Sequence, residues 1–366
     1  MAGNDTLEKF SKEIIIIKSL YLVICIILGL IGNLVVLITI LKYRKLQTIT
    51  NYFVLNLSIT DLLFIICCMP TIIITTIGEK WLLGNAVCNI IGFLNVLLCT
   101  NSIWNLVMIS INRYLNVAKP KKIKEIYTRK KTILMIISVW IVSGLVSVPP
   151  LLNWSSYKPG PNFCTVDRKG AKSFYLLILL IMYILPLLIL VSLYSCIFFI
   201  LKKKEKKILL KCNINYIEHS DCKGNASIYK NGLLSYQAGN KQISNKKIMI
   251  NYFISKNNDT YKVSVKKAQN HNKKLQKCVK LYKQYQITKR LMVLVLSFFL
   301  FWTPFFIGSF LITYGVKNKK NFHFTTFGVM CGCLSSISNP FIYSMNSSFR
   351  NHLRKLSRNF FNKKNY

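Results

Sequence analysis

The chain reads as an all-α membrane protein, a bundle of seven transmembrane helices followed by a short amphipathic helix in the membrane interface. Three observations predict this: seven long apolar runs, almost no charge inside them, and Lys and Arg gathered in alternate connections. Of the 366 residues, 52% are hydrophobic and the mean hydropathy is positive, a balance that suits lipid better than water as solvent. The formal net charge of +39 would suit a nucleic-acid binder if it covered one folded face. The lysines instead lie between apolar runs, so no nucleic-acid partner is implied.

A membrane helix needs roughly 20 apolar residues. Runs of that length fall at 19–41, 52–78, 88–112, 132–156, 173–201, 291–316 and 324–347, and apart from Asp61 and Arg113 they carry no charged side chain. Lys42, Arg44 and Lys45 follow the first run, and Lys119, Lys121, Lys122, Lys124, Arg129, Lys130 and Lys131 follow the third. The largest basic excess separates the fifth and sixth, and more follows the seventh. These regions share one side only if the N-terminus is outside and the C-terminus cytoplasmic.

The organisation expected is an extracellular tail (1–18), a seven-span domain (19–347), and an interfacial helix with a cytoplasmic tail (348–366). The connection 202–285, rich in Lys, Asn and Ser, is expected to be a mostly disordered cytoplasmic loop near anionic lipid. After the seventh run, Phe349, Leu353, Leu356 and Phe360 recur at helical spacing among arginines and lysines, the pattern of a helix lying in the interface. Residues 1–13 lack the pattern of a secretory signal, so the first apolar run is expected to direct insertion. Asn4 and Asn153 head glycosylation sequons on the outer side. The twelve cysteines mostly lie singly in apolar stretches, without metal-ligand spacing.

Asp61 is costly to hold in hydrocarbon and should face the bundle interior with a polar partner, as a functional group or a structural carboxylate. Pro186, Pro304 and Pro340 each remove a backbone donor within a span and loosen it. Arg113, at the cytoplasmic end of the third run, is permanently charged and able either to change partners or to snorkel.

These landmarks resemble those of the rhodopsin-like G-protein-coupled receptors. The resemblance rests on Gly32-Asn33, LNLSITD ending at Asp61, INRY (Ile111 to Tyr114) with Pro120, Trp140, Pro149-Pro150, and Pro186 with Tyr194. It continues through Phe298, FWTP (Phe301 to Pro304) and NPFIY (Asn339 to Tyr343), with Asn346, Phe349 and Arg350 beyond, and covers all but the tails and the long loop. It implies a plasma-membrane receptor whose partners are an extracellular small-molecule or peptide ligand and a heterotrimeric G protein. Coupling and activation would involve Asn112, Arg113, Tyr114, Tyr194, Asn339, Pro340 and Tyr343, with Phe298, Trp302 and Pro304 as an aromatic hinge or plain core. Cys88 and Cys164 match the family's extracellular disulfide. Asp61, Ser102, Ser336 and Asn339 match its buried sodium pocket, an allosteric ion rather than a cofactor.

The chain also departs from the family. Asn112 stands where many relatives carry an acid, and Gln284 stands at the usual acidic position in the sixth span, so a less restrained Arg113 and ligand-independent activity are expected. NRY is shared with melatonin receptors. Asn95 replaces the aspartate of amine receptors, Ile178 and Met182 replace their serines, and Cys333 replaces the retinal lysine. A charged monoamine and retinal are therefore disfavoured. With Cys99, Thr100, Phe305, Phe306 and Ser309, Asn95 is expected to line an apolar, aromatic pocket for a neutral indole, a lipid-like molecule or a peptide tip. The loop run NWSSYKPGPNFC resembles amine-like and melatonin-like branches, while Lys121 leaves the coupling class open. A transporter would instead show internal repeats and several embedded ionisable groups. No enzyme's nucleophile and base stand at suitable depth. A degenerate, non-coupling receptor is the third alternative, opposed by Arg113, Tyr194 and NPFIY.

Overall fold

The computed structural model describes residues 12–160, 163–167, 171–217, 261–315, 319–344 and 347–362. Asn4 and Asn346 lie outside them. Eight long helices order the described chain: α1 (Lys12–Lys42), α2 (Ile49–Gly78), α3 (Gly84–Ala118) and α4 (Arg129–Ser147), then α5, α6 (Tyr261–Thr313), α7 (Lys319–Ser344) and α8 (Ser347–Asn362), with one further helical turn at Ile123–Ile126. α5 runs from Lys172–Leu179 through a π turn at Leu180–Ile184 into Leu185–Ile217. Between α4 and α5 lies an antiparallel hairpin of β1 (Tyr157–Pro159) and β2 (Cys164–Val166), with Pro159 opposite Cys164.

Among the described residues, six helices are long and apolar enough to cross a membrane. The seventh span, α7, is diluted by Ser335, Ser336 and Asn339, which it buries beside Val329, Met330, Cys333 and Ile337. Its polar groups are taken up by neighbours: Tyr21 Oη donates to the Met330 carbonyl (2.8 Å) and Asn33 Nδ2 to the Ser336 carbonyl (2.9 Å). Asn33 is preceded by Gly32, where a Cβ would stand 3.0 Å from the Pro340 ring, so a glycine lets α1 approach the bend-prone part of α7. On α4, by contrast, Ile133, Leu134, Ile137, Ile141 and Leu145 are exposed, a ladder too apolar for water and suited to lipid.

The prolines shape the helices locally. Pro186 lacks an N–H and crowds the carbonyl four residues back, and the π turn at Leu180–Ile184 lies immediately before it. A second π turn, Phe64–Cys68, precedes Pro70 in α2. Apolar periodicity predicts continuous spans at both places, and the structure instead widens them by a residue. Pro149-Pro150 ends α4 at Ser147 rather than carrying it to 156; the chain continues as a 3-10 turn to Leu152, and Asn153 adopts a left-handed φ of 65°.

The chain divides into two compact units, Met1–Phe199 with Gln286–Tyr366, and Ile200–Tyr285. The second differs from its sequence expectation. The described residues 202–217 and 261–285 are helical, not disordered, while 218–260 lie outside the described residues. A nucleus already formed in an adjoining span removes the initiation cost of a helix, and Lys, Leu and Gln then propagate it readily.

Candidate functional site

α3 runs past every part of the site. At its first end, Cys88 is joined to Cys164 of β2. The hairpin is pinned a second way. The Tyr157 ring lies over Gly92, where an added Cβ would collide with it, and its hydroxyl donates to the Ser147 carbonyl at 2.7 Å. Burial pushes the Tyr157 phenol above its ordinary pKa. Lys158 and Asp167 close the hairpin with an ion pair at 2.6 Å.

Beneath the hairpin is a cavity of about 50 Å³. Of the expected pocket residues, Asn95, Cys99, Ile178, Met182, Phe305, Phe306 and Ser309 line it. Thr100 does not: it is buried, and its hydroxyl turns back to the Val96 carbonyl at 2.7 Å, as a helical threonine readily does. The sequence reading missed Gly92, Val96, Phe163, Thr165, Val166, Tyr175 and, as a wall shared with the hinge, Trp302. Three of these belong to the hairpin, and its cysteine alone signalled that it is drawn over the bundle. The polar groups are neutral: Cys99 Sγ donates to Asn95 Oδ1 at 3.4 Å, and Ser309 Oγ is buried without a hydrogen-bond partner. No acidic side chain lines this cavity.

One turn deeper, a second cavity of about 10 Å³ is bounded by Asp61, Ser102, Ser335, Ser336, Cys99, Phe298 and Trp302. Asn339 Nδ2 donates to Asp61 Oδ2 at 2.7 Å, and Ser336 also hydrogen-bonds the carboxylate. Asp61 thus has the polar partners that a carboxylate in hydrocarbon requires, but no cationic one among the described residues. Trp302 separates the two cavities. Its Nε1 donates to Ser335 Oγ (3.2 Å), and its ring packs against Phe298, Phe305 and Phe306 at centroid distances of 6.2, 5.7 and 6.4 Å. Gly332 of α7 leaves room for that ring, and Gly328 lies against the backbone at Pro304 and Phe305, so α6 and α7 meet closely at the proline.

At the far end of α3, Asn112 is buried and accepts from Thr50 Oγ1 at 3.0 Å. Its carbonyl and Oδ1 also accept from Asn116 Nδ2, at 2.9 and 3.1 Å. Ser110 Oγ donates to Tyr194 Oη at 3.3 Å, which ties α3 to α5 beside Arg113. Arg113 has no carboxylate partner among the described residues, and its Nε is buried without an acceptor. Tyr343 Oη, in the NPFIY segment, is likewise buried and unpartnered. Tyr114 is half-buried and Pro340 buried.

A seven-helix bundle with a cavity under a hairpin at one end, an arginine without a carboxylate partner among the described residues at the other, and prolines within the helices between them has the layout of a membrane receptor. The family model described as "7 transmembrane receptor (rhodopsin family)" matches residues 32–343, and the chain belongs to that family. Its members are receptors, not enzymes. The chain is 28% identical to the alpha-1A adrenergic receptor of Oryzias latipes over 347 residues, 93% of the chain and 66% of the relative. It is 35% identical to the tyramine receptor Ser-2 of Caenorhabditis elegans over 187 residues, 51% of the chain and 41% of that protein. The chain thus spans 66% or less of the length of these relatives. In fold it is similar to squid rhodopsin, with a TM-score of 0.71 at 22% identity, over 95% of this chain and 86% of that one.

Proposed function

We propose that this receptor lies in the plasma membrane with the Cys88 end of α3 outside, binds a neutral ligand beneath the hairpin, and activates a heterotrimeric G protein at the Arg113 end. One observation carries the reading: a single helix bears a neutral, aromatic cavity at one end and, at the other, a permanently charged group without a carboxylate partner among the described residues. A receptor needs two states and an element whose equilibrium both partners bias. Trp302 touches both cavities beside Pro304, so ligand packed on Phe305 and Phe306 acts directly on the loosened part of α6. Asn112 and its neutral partners restrain Arg113 less than a carboxylate would, which favours signalling without ligand. Asn153, exposed beyond α4, is an acceptor for N-glycan on the outer face.

The deeper cavity suits a sodium ion. Its volume is about 10 Å³, that of roughly one water, and it offers one carboxylate and several hydroxyls, the oxygen set of a hard cation. Asp61, Ser102 and Ser336 would hold the ion, with Asn339 orienting the carboxylate. Bound there, it would tie α2, α3 and α7 in the resting packing.

The test is basal signalling in cells across a panel of G-protein activation reporters at matched surface expression. Basal signal is expected, Arg113→Ala abolishes it, and replacing sodium by potassium raises it except in Asp61→Asn. Silence of the unaltered chain across the panel overturns ligand-independent coupling, and identical signals in both salts remove the sodium site.

The names of the relatives speak for an amine, and Asn95 speaks against one. A cationic ligand would need a counter-charge in a cavity of about 50 Å³, and the lining supplies none. Tyramine is therefore expected to leave the unaltered receptor silent and to activate Asn95→Asp. A response of the unaltered chain to tyramine would reverse the neutral-ligand reading.

A further inference from the structure

Two hydroxyls join α5 to α6 beside the proline of α6. Tyr183 lies inside the π turn Leu180–Ile184, and its Oη is 2.7 Å from the Oγ1 of Thr303, the residue before Pro304. Thr303 has a single hydroxyl proton and donates it to the Phe299 carbonyl at 2.5 Å, so Tyr183 is the donor to Thr303. The Tyr183 ring reaches further. It packs on Phe299 at a centroid distance of 5.5 Å and on Phe306 at 4.8 Å, and those two residues lie on opposite sides of Pro304. One side chain of α5 thus touches both halves of α6 across the place where its backbone lacks a donor.

We infer that Tyr183 is a positioning residue for activation: with Thr303 it splints the bend of α6 in the resting packing, and the splint must release before the inner half of α6 can swing. The inference rests on the receptor reading above. A helix is weakest at its proline, and a threonine hydroxyl bonded back to its own turn bends it further. The Tyr183 hydroxyl, arriving from α5, fixes that bent turn from outside. Both side chains are half-buried, and hydrocarbon offers them no water to take in exchange for the bond. The π turn aims the tyrosine, because its extra residue turns the helix that follows by roughly 100° relative to the helix before it. Within that turn Met182 lines the cavity and Tyr183, next to it, meets α6. A ligand that shifts the turn through Met182 therefore pulls directly on Thr303.

The full chain in lipid nanodiscs would be followed by amide hydrogen exchange, read by mass spectrometry on peptides covering residues 299–303, and in cells by basal G-protein signalling at matched surface expression. Tyr183→Phe keeps the ring and removes the hydroxyl. It should speed exchange at 299–303 about threefold and raise basal signal by a similar factor, the weight of one hydrogen bond between membrane helices. Thr303→Val should act in the same direction. The two changes together should add little to either alone, because both remove the same bond. Thr303→Ser, which keeps a hydroxyl, should stay closer to the unaltered chain than Thr303→Val. Two independent losses of packing would instead add.

Unchanged exchange at 299–303 in Tyr183→Phe overturns the splint, as does full additivity of the two changes. Faster exchange with no rise in basal signal, in a chain that itself signals without ligand, overturns the role in activation. Faster exchange in a chain that stays silent in every form supports the splint and counts against ligand-independent coupling, so failure of the splint is distinguishable from failure of the receptor reading.

Discussion

The two ends of α3 are held by opposite means. Near Cys88 the helix is fixed by a covalent bond, by a tyrosine ring lodged over Gly92, and by a hairpin locked with an ion pair. Near Arg113 it is held by neutral hydrogen bonds of 3.0 to 3.3 Å, from Thr50 to Asn112 and from Ser110 to Tyr194, and the one charged group there has no carboxylate partner among the described residues. A hydrogen bond between neutral groups is worth about 1 kcal/mol net, whereas a disulfide closing a long loop is worth about 4 kcal/mol. One end is therefore built to keep its shape and the other to change partners. The cavity belongs at the rigid end, where pre-organisation favours binding, and the switch belongs at the loose end.

The largest effect expected from breaking this contrast is at the rigid end. Cys88→Ser removes a cross-link spanning 76 residues and should cost about 4 kcal/mol, seen as a loss of thermal stability and of surface-expressed protein. If the variant melts with the unaltered chain, the hairpin is held by Tyr157 and the ion pair alone. At the loose end the informative change adds a restraint. Asn112→Asp places a carboxylate next to the arginine, and a buried charge pair there should lower basal signalling about tenfold, the equivalent of ~1.4 kcal/mol. Unchanged basal signal in Asn112→Asp at matched surface level would mean that Arg113 is already restrained by other groups.

The same division separates what the sequence discloses from what it hides. The spans were legible because lipid demands apolar runs, and Asp61 because a carboxylate in hydrocarbon needs a partner, while Asn339 was named only through the family resemblance. Cys88 and Cys164 were legible only through family resemblance, and the structure joins them. Most expected pocket residues do face the cavity, since they lie at helical spacing on α3, α5 and α6. Thr100 failed because its hydroxyl found a backbone carbonyl on its own helix. Phe163, Thr165 and Val166 were hidden for another reason: a loop has no periodicity, and its path is set by a distant cysteine. The π turns at 64–68 and 180–184 were equally invisible, because a run that is apolar all round shows no change of phase when a residue is inserted. The helical residues at 261–285 show the converse, a polar composition ordered as helix next to a span.

The smallest test compares two buried tyrosines outside the spans, one at each end. Tyr157 anchors the hairpin, and Tyr127, between α3 and α4, packs edge-on against Phe53 at a centroid distance of 6.4 Å. Burial raises both phenol pKa values, Tyr127 to about 12 from an ordinary 10.0. The sign follows from which state releases the proton first. Below pH ~10 both folded and unfolded chains keep the Tyr127 proton, and its contribution is fully present. Between about 10 and about 12 only the unfolded chain loses it, so stability falls as pH rises, by about 1.4 kcal/mol per pH unit. Tyr127→Phe should remove this alkaline loss with little change at neutral pH, because no hydrogen bond of its hydroxyl is at stake among the described residues. Tyr157→Phe should also flatten the alkaline limb, but it gives up the bond to the Ser147 carbonyl and should cost about 1 kcal/mol at pH 7. Melting curves of the two variants at pH 7 and pH 11 separate the cases. Equal stability of Tyr157→Phe and the unaltered chain at neutral pH would show that the ring over Gly92, not the hydroxyl, pins the hairpin.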